Sequence, residues 1–251
     1  MRIPSDLVRT IRDSSNLAAL TGAGVSQESG LRTFRDKLES SSEAEKPLWA
    51  QYKPEDLATP EAFERNPSLV WEFYAMRRLK AGEVRPNPGH IALAEIGQRA
   101  PHFTLITQNV DGLHQRAGST DVIELHGNIT RVRCTHGCGV FTEWIDSPGG
   151  VPDCPQCGAK LRPDVVWFGE LLPHKELEQA VEAARESKVF FSIGTSGLVQ
   201  PAASLALMAK QAGAVLVEIN PEDTPLTPLV DFFLQGKSGE VLPEMVRRVW
   251  D

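Results

Sequence analysis

Residues 107–114 read Thr-Gln-Asn-Val-Asp-Gly-Leu-His and follow directly on the apolar run Phe103–Ile106. Polar groups at the carboxyl end of a strand in an open α/β sheet face the ligand crevice. Gln108, Asn109 and Asp111 can each bond an amide or a sugar hydroxyl. A plain Asn/Asp turn, Asn-Val-Asp-Gly, accounts for the same residues without any ligand. Further on, Glu124-Leu125-His126-Gly127 closes a second apolar run. His126 at a strand end is either a structural histidine or a general base working near neutral pH.

The four cysteines fall in two close pairs. Cys134 and Cys138 have three residues between them, Cys154 and Cys157 have two, and fifteen residues separate the pairs. Such turns, followed by Gly139 and Gly158, place thiolates on one tetrahedral ion. Four thiolates leave no open position, so the expected zinc is structural. His136 could replace a cysteine, though nothing requires it. The spacing resembles a zinc ribbon, which brings nucleic-acid binding into view. The segment is not strongly basic and carries only Phe141 and Trp144 as aromatics, which weighs against that role.

Two glycine-rich loops remain. Leu20-Thr21-Gly22-Ala23-Gly24 opens like a dinucleotide turn, but Gln27 stands where a third glycine is expected. The loop alone is equally a phosphate-approaching turn or a tight turn with no ligand. Gly194-Thr195-Ser196-Gly197 lies between an apolar run and a helical pattern, where amide and hydroxyl donors favour an anion. About 25 residues on, Glu218-Ile219-Asn220 ends another run, where a Rossmann-type unit holds an adenosine ribose. The pair of loops favours dinucleotide binding. Tyr74 and Arg77, three apart on one helical face, could clasp a carboxylate or be a surface tyrosine and a solvated arginine.

These residues need a frame. Apolar runs at 16–20, 103–107, 121–125, 189–193 and 214–219 predict strands. Helices are expected at 4–14, from Asn66-Pro67 to about Lys80, near 90–99, from about Pro201 to Ala212, and at 240–250. Strands alternating with helices imply a parallel sheet covered on both faces. Residues 37–60 are polar, with a Ser/Glu-rich tract at 39–45, and read as a mobile connection. The segment 130–165 differs in composition from its flanks and reads as an inserted module.

The chain of 251 residues suits one large domain or one large and one small, with enough length to bury a core. Its net charge of −7 makes it no electrostatic magnet for nucleic acid or an anionic membrane. No apolar run approaches the ~20 residues of a membrane helix, and the N-terminus lacks a signal-peptide core. A cytoplasmic protein is expected.

Taken together the residues resemble the sirtuins, NAD-dependent protein lysine deacylases. The resemblance spans nearly the whole chain, through GAGVSQESGLRTFRD (22–36), TQNVDGLH (107–114), ELHGN (124–128), both cysteine pairs, RPDVVWFGE (162–170), GTSGLVQPA (194–202) and EINPE (218–222). It implies an α/β fold: a Rossmann-like parallel-sheet domain from 1–36, 102–129 and 163–251, a helical segment 37–101, and an inserted small zinc-binding module, 130–162. It implies NAD held by Gly22, Ala23, Gly24, Ser26, Thr33, Phe34 and Arg35, by Gln108, Asn109 and Asp111, by Gly194, Thr195 and Ser196, and by Asn220, Pro221, Glu222 and Ser238. The missing third glycine then reflects a dinucleotide that is consumed and not reduced.

The same resemblance implies a reaction. Nicotinamide leaves, the acyl-lysine carbonyl oxygen captures the ribose, and His126, with Asn109 beside it, serves catalysis as base on a ribose hydroxyl. Water completes the release of free lysine and O-acyl-ADP-ribose. Val165, Val166, Trp167, Phe168 and Gly169 look like the segment that pairs with substrate backbone and walls the acyl-lysine tunnel. Tyr74 and Arg77, in VWEFYAMRR, look like the subclass that removes succinyl and malonyl groups. The partners implied are acylated lysines of proteins, and a monomer is expected. Arg32 departs from the family's usual proline, and the first cysteine pair has three intervening residues where two are commoner. A plain deacetylase, a mono-ADP-ribosyltransferase using the same site, and a zinc-ribbon scaffold that senses nucleotide are the rival readings.

Overall fold

A computed structural model describes residues 3–31, 52–145 and 150–251 of the chain. The Ser/Glu-rich tract at 39–45 and residues Arg32 to Asp36 lie outside them.

Six strands form a parallel sheet: β1 (Leu17–Thr21), β2 (Phe103–Thr107), β3 (Ile123–Glu124), β7 (Val189–Ile193), β8 (Val215–Asn220) and β9 (Phe232–Gln235), in the order β3-β2-β1-β7-β8-β9. The chain builds outward from β1 in one direction through β2 and β3, then from β7 in the other. The order therefore reverses between β1 and β7, where open α/β sheets leave a crevice at the strands' carboxyl ends. Register brings the strand ends level. Thr21 pairs with both Thr107 and Ile193, and Ile193 with Ile219. Gly22, Gln108, Gly194 and Asn220 follow at one height along this edge.

β1 and β7 are buried throughout, which is why LAALT and VFFSI are nearly unbroken apolar runs. Alternate side chains feed two cores. Leu17, Ala19, Phe191 and Ile193 pack with helices α1 (Ser5–Asp13), α6 (Pro88–Arg99) and α10 (Ser238–Trp250). Ala18, Leu20 and Phe190 pack on the other face with α8 (His174–Glu186) and α9 (Ser204–Gln211).

A second sheet is antiparallel: β4 (Gly127–Cys134) lies between β5 (Val140–Phe141) and β6 (Leu161–Val165). It begins at the residue after His126. With α3 (Pro54–Leu57), α4 (Pro60–Arg65) and α5 (Pro67–Glu83) it forms a third core around Phe63, Trp71, Phe73, Tyr74, Leu161 and Trp167. Local chemistry starts these helices. Asn66 accepts from Leu69 N–H ahead of Pro67, and Asn87 accepts from Gly89 and His90 N–H ahead of Pro88.

The structure differs from the sequence expectations at several ends. The 121–125 strand shrinks to two residues, since Asp121 sits at a positive φ of 52° and only Ile106 and Thr107 remain to pair with it. The expected connection 37–60 carries helix at Pro54–Leu57 and again from Pro60. The helix expected from Pro201 starts at Ser204. Helix α8 and strand β9 were not anticipated. The buried seam of α8 is narrow, Ala180 and Ala184. Among the described residues no helix is long and apolar enough to cross a membrane.

Candidate active site

The two glycine-rich loops interlock at the reversal point. Gly22 N–H donates to the Ile193 carbonyl at 3.0 Å and Gly24 N–H to the Gly194 carbonyl at 2.9 Å. A Cβ on Gly24 would stand 2.8 Å from Gly194 Cα, and one on Gly194 would stand 2.7 Å from Val25 N. The glycines are thus spent first on contact between the loops. Ala23, between them, is exposed at the start of α2 (Ala23–Gln27). Thr33, Phe34 and Arg35 lie outside the described residues.

Next to this junction runs a chain of polar side chains. Asn109 Nδ2 donates to the Gly22 carbonyl at 2.9 Å and to Ser26 Oγ at 3.0 Å. Ser26 Oγ in turn donates to Asp111 Oδ2 at 2.6 Å, while Asp111 Oδ1 accepts from Leu113 N–H at 2.9 Å. Burial raises the Asp111 pKa above its ordinary value, partly offset by Ser26, Leu113 and the Arg77 charge. Gln108 starts the turn, its N–H donating to the Thr21 carbonyl at 3.0 Å. Sequence reading overlooked the layer beneath: His114 Nε2 meets Thr21 Oγ1 at 2.9 Å, and the His90 and His114 rings lie 4.8 Å apart. The signal was present, since Pro88-Gly89-His90 and Gly112-Leu113-His114 each put a histidine at the start of a helix.

His126 Nδ1 lies 3.0 Å from the Gln108 carbonyl. A carbonyl only accepts, so Nδ1 carries the proton and Nε2 keeps its lone pair. Burial holds the His126 pKa below the ordinary histidine value, the Gln108 contact opposing only in part. The ring is therefore a neutral base with Nε2 as its basic atom.

The other half of the crevice gathers around Thr195. Asn220 Nδ2 donates to the Thr195 carbonyl at 2.7 Å, and Ser192 Oγ meets Thr195 Oγ1 at 2.9 Å. Ser196 is half-buried beside them; Pro221 and Glu222 are exposed beyond β8. Glu218, the other polar residue of that strand end, is fully buried and accepts from the Thr224 and Thr227 hydroxyls at 2.6 Å each. Asn220 is thus the polar residue that β8 offers to the crevice. Ser238 is buried at the start of α10 and donates to Glu28 Oε1 at 2.6 Å. Its hydroxyl ties α10 to the segment after α2.

A second group stands on α5. Tyr74 is 2% exposed, and its ring lies 6.3 Å from that of Trp167. Burial pushes the Tyr74 pKa up to about 12, against the lowering effect of the Arg77 charge. Burial also disfavours the Arg77 charge, with Tyr74 and then Asp111 opposing it. Guanidinium keeps its proton regardless, so this is a sheltered cation. It borders both Tyr74 and the Asp111 end of the polar chain. After β6 the chain alternates: Val165 and Trp167 are buried, Val166 is intermediate, and Phe168 and Gly169 are exposed. The N–H groups of Val166, Trp167, Phe168 and Glu170 are donated to His126 O, Glu170 Oε2, Ala58 O and Trp167 O.

The Sγ atoms of Cys134, Cys138, Cys154 and Cys157 lie within 4.8 Å of one another. Backbone turns hold them: Gly137 N–H donates to Cys134 O, Gly158 N–H to Cys154 O, and His136 N–H to Cys134 Sγ. Four converging thiols fit a tetrahedral zinc ion, with all positions filled by protein.

Comparison with known proteins places this geometry. Residues 22–201 match the model of the Sir2 family. The NAD-dependent protein deacylase of Pyrococcus furiosus is 49% identical over 252 residues, covering 97% of each chain. A solved complex of a Sir2 homologue with NAD is 48% identical and superposes with a TM-score of 0.90 over 99% of this chain and 94% of that one. A Sir2 protein bound to an acetylated peptide is 28% identical, with a TM-score of 0.85 over 98% of each chain. The chain belongs to the Sir2 family, the sirtuins.

Proposed function

We propose that the chain is an NAD-dependent protein lysine deacylase that accepts acidic acyl groups, succinyl and malonyl, as well as acetyl. NAD is the co-substrate; on loss of nicotinamide it supplies the ADP-ribose that takes up the acyl group. The interlocked loops at Gly24 and Gly194 form the floor of its site. Thr195, Ser196 and Asn220 serve the adenosine half, with Pro221, Glu222 and Ser238 at its rim. Gln108, Asn109 and Asp111 serve the nicotinamide half, and Thr33, Phe34 and Arg35 belong to the same role. His126 removes a proton from a ribose hydroxyl through Nε2. Its lowered pKa keeps that atom unprotonated at neutral pH. Zinc on the four cysteines holds the small sheet and takes no part in the chemistry.

One observation carries the acidic-acyl reading: the sheltered Arg77 beside the buried Tyr74, whose ring lies against Trp167. A phenol with its pKa pushed up to about 12 remains a hydrogen-bond donor at any working pH. A guanidinium and a phenol together suit a carboxylate at the end of an acyl chain. Removing one partner of a desolvated charge pair costs about 2–5 kcal/mol. Arg77→Met should therefore lower kcat/KM for a succinyl-lysine peptide by about 30-fold or more and change acetyl-lysine turnover by less than about threefold. Equal loss of both activities would remove the assignment.

A further inference from the structure

Two side chains bracket His126. Glu124 precedes it by two residues and Asn128 follows it by two, and Asn128 Nδ2 donates to Glu124 Oε1 at 2.6 Å. The bracket spans Gly127, whose φ is +76° and where a Cβ would run into the Asp164 carbonyl oxygen of β6. The turn is pressed flat on the small sheet. Glu124 has two more donors: Gln115 Nε2 from helix α7 (Leu113–Arg116) at 2.7 Å and Arg131 Nη2 from β4 at 2.7 Å. Arg131 continues to Asp164 Oδ2 at 2.9 Å. One carboxylate, its side chain 10% exposed, thus joins the parallel sheet, α7 and the antiparallel sheet. Charge-assisted bonds of this kind are about twice as strong as neutral ones.

The His126 ring is largely buried, and its polar contacts run to backbone. Nδ1 meets the Gln108 carbonyl, and the His126 carbonyl accepts from Val166 N–H at 2.9 Å. Where Nε2 stands is therefore set by the backbone of the turn. We propose that Glu124 is a positioning residue: through Asn128 and Arg131 it fixes the turn that carries His126, and so sets where the imidazole stands between the two sheets. This rests on the reading of His126 as the base. It assigns to Glu124 no contact with substrate.

The test uses the full-length protein and one acyl-lysine peptide. Two rates are compared: exchange of labelled nicotinamide into NAD, which reports nicotinamide departure before the base acts, and release of deacylated peptide. Glu124→Ala should lower deacylation by about 10-fold or more, as small misplacements of a reacting group do. Exchange should stay within about threefold of wild type. Glu124→Gln, which keeps the shape and loses the charge, should fall between and serves if the alanine variant fails to fold. In Glu124→Gln/Asn128→Asp the amide and carboxylate trade places, which restores the bond across the bracket but not the Arg131 pair, and deacylation should recover in part. Without NAD, 15N spectra of the His126 ring should show a single Nδ1–H tautomer in wild type and a mixture in Glu124→Ala. Parallel loss of both rates, or no loss in either, would overturn the proposal. His126→Ala separates the two readings. If it leaves deacylation intact, the base assignment fails; if it abolishes deacylation while the Glu124 variants do not lower it, the positioning role alone fails.

Discussion

Gly24 and Gly194 close against each other backbone to backbone, with Gly24 N–H donating to the Gly194 carbonyl at 2.9 Å and no room for a side chain on either. Gly194 also sits at φ +58°, where a Cβ is strained. Gly194→Ala should destabilise the protein by about 2 kcal/mol or more through these combined effects. NAD affinity measured by calorimetry should fall with it, because both loops shift. A variant with unchanged melting temperature and unchanged affinity would contradict this account of the junction.

Burial lowers the His126 pKa, and a base works only while unprotonated. The acid limb of the deacylation rate should therefore lie below 6.5, the ordinary histidine value. Rates on one peptide from pH 5 to 8 would check this. An acid limb at the ordinary value would mean that the imidazole is solvated, and one above it that the imidazole is paired with a carboxylate.

His90 and His114 are buried side by side, and desolvation lowers their pKa values to about 4 and about 3. The unfolded chain takes up protons near 6.5 that the folded chain refuses until far lower. Stability is thus full above pH 6.5 and is lost as pH falls from there toward 4 and 3. Each site removes up to about 1.4 kcal/mol per pH unit in that window. Denaturant midpoints at pH 7 and 5.5 should show the loss, and His90→Gln should reduce it. An equal loss in that variant would place the effect elsewhere.

The four thiols predict about one zinc per chain by elemental analysis. Chelation should loosen the antiparallel sheet, because the four cysteines form no disulfide that would hold the Cys134 turn to the Cys154 turn without the metal. Protein purified without chelator and free of zinc would count against the site.

Much of the fold was legible, and the candidate residues with it, because those candidates sit at strand ends. Apolar runs such as VFFSI announced their strands, and Asn109, His126 and Asn220 were found as the polar residues that follow or end such runs. The cysteine spacing announced their cluster. Side-chain partners were not legible. Glu218 and Asn220 look equivalent in EINPE, yet strand alternation sends one into a buried turn and the other to Thr195. Ser238 was expected among the residues that hold NAD, and its hydroxyl goes to Glu28, 210 residues away in sequence. Tyr74 and Arg77 could be read as surface residues until α5 was seen packed on Trp167. The Glu124–Asn128 bracket was written in ELHGN, but its meaning depends on Gly127 turning at positive φ and on Arg131 reaching β6.

The central claim is that this site removes acyl groups from lysine at the expense of NAD and takes acidic ones. Two matched peptides, one acetyl-lysine and one succinyl-lysine, incubated with and without NAD and read by mass spectrometry, test it most directly. The account predicts NAD-dependent loss of succinyl with O-succinyl-ADP-ribose appearing, and loss of acetyl as well. Loss of acetyl alone would contradict the role given to Tyr74 and Arg77, and no NAD-dependent change in either peptide would contradict the deacylase reading itself.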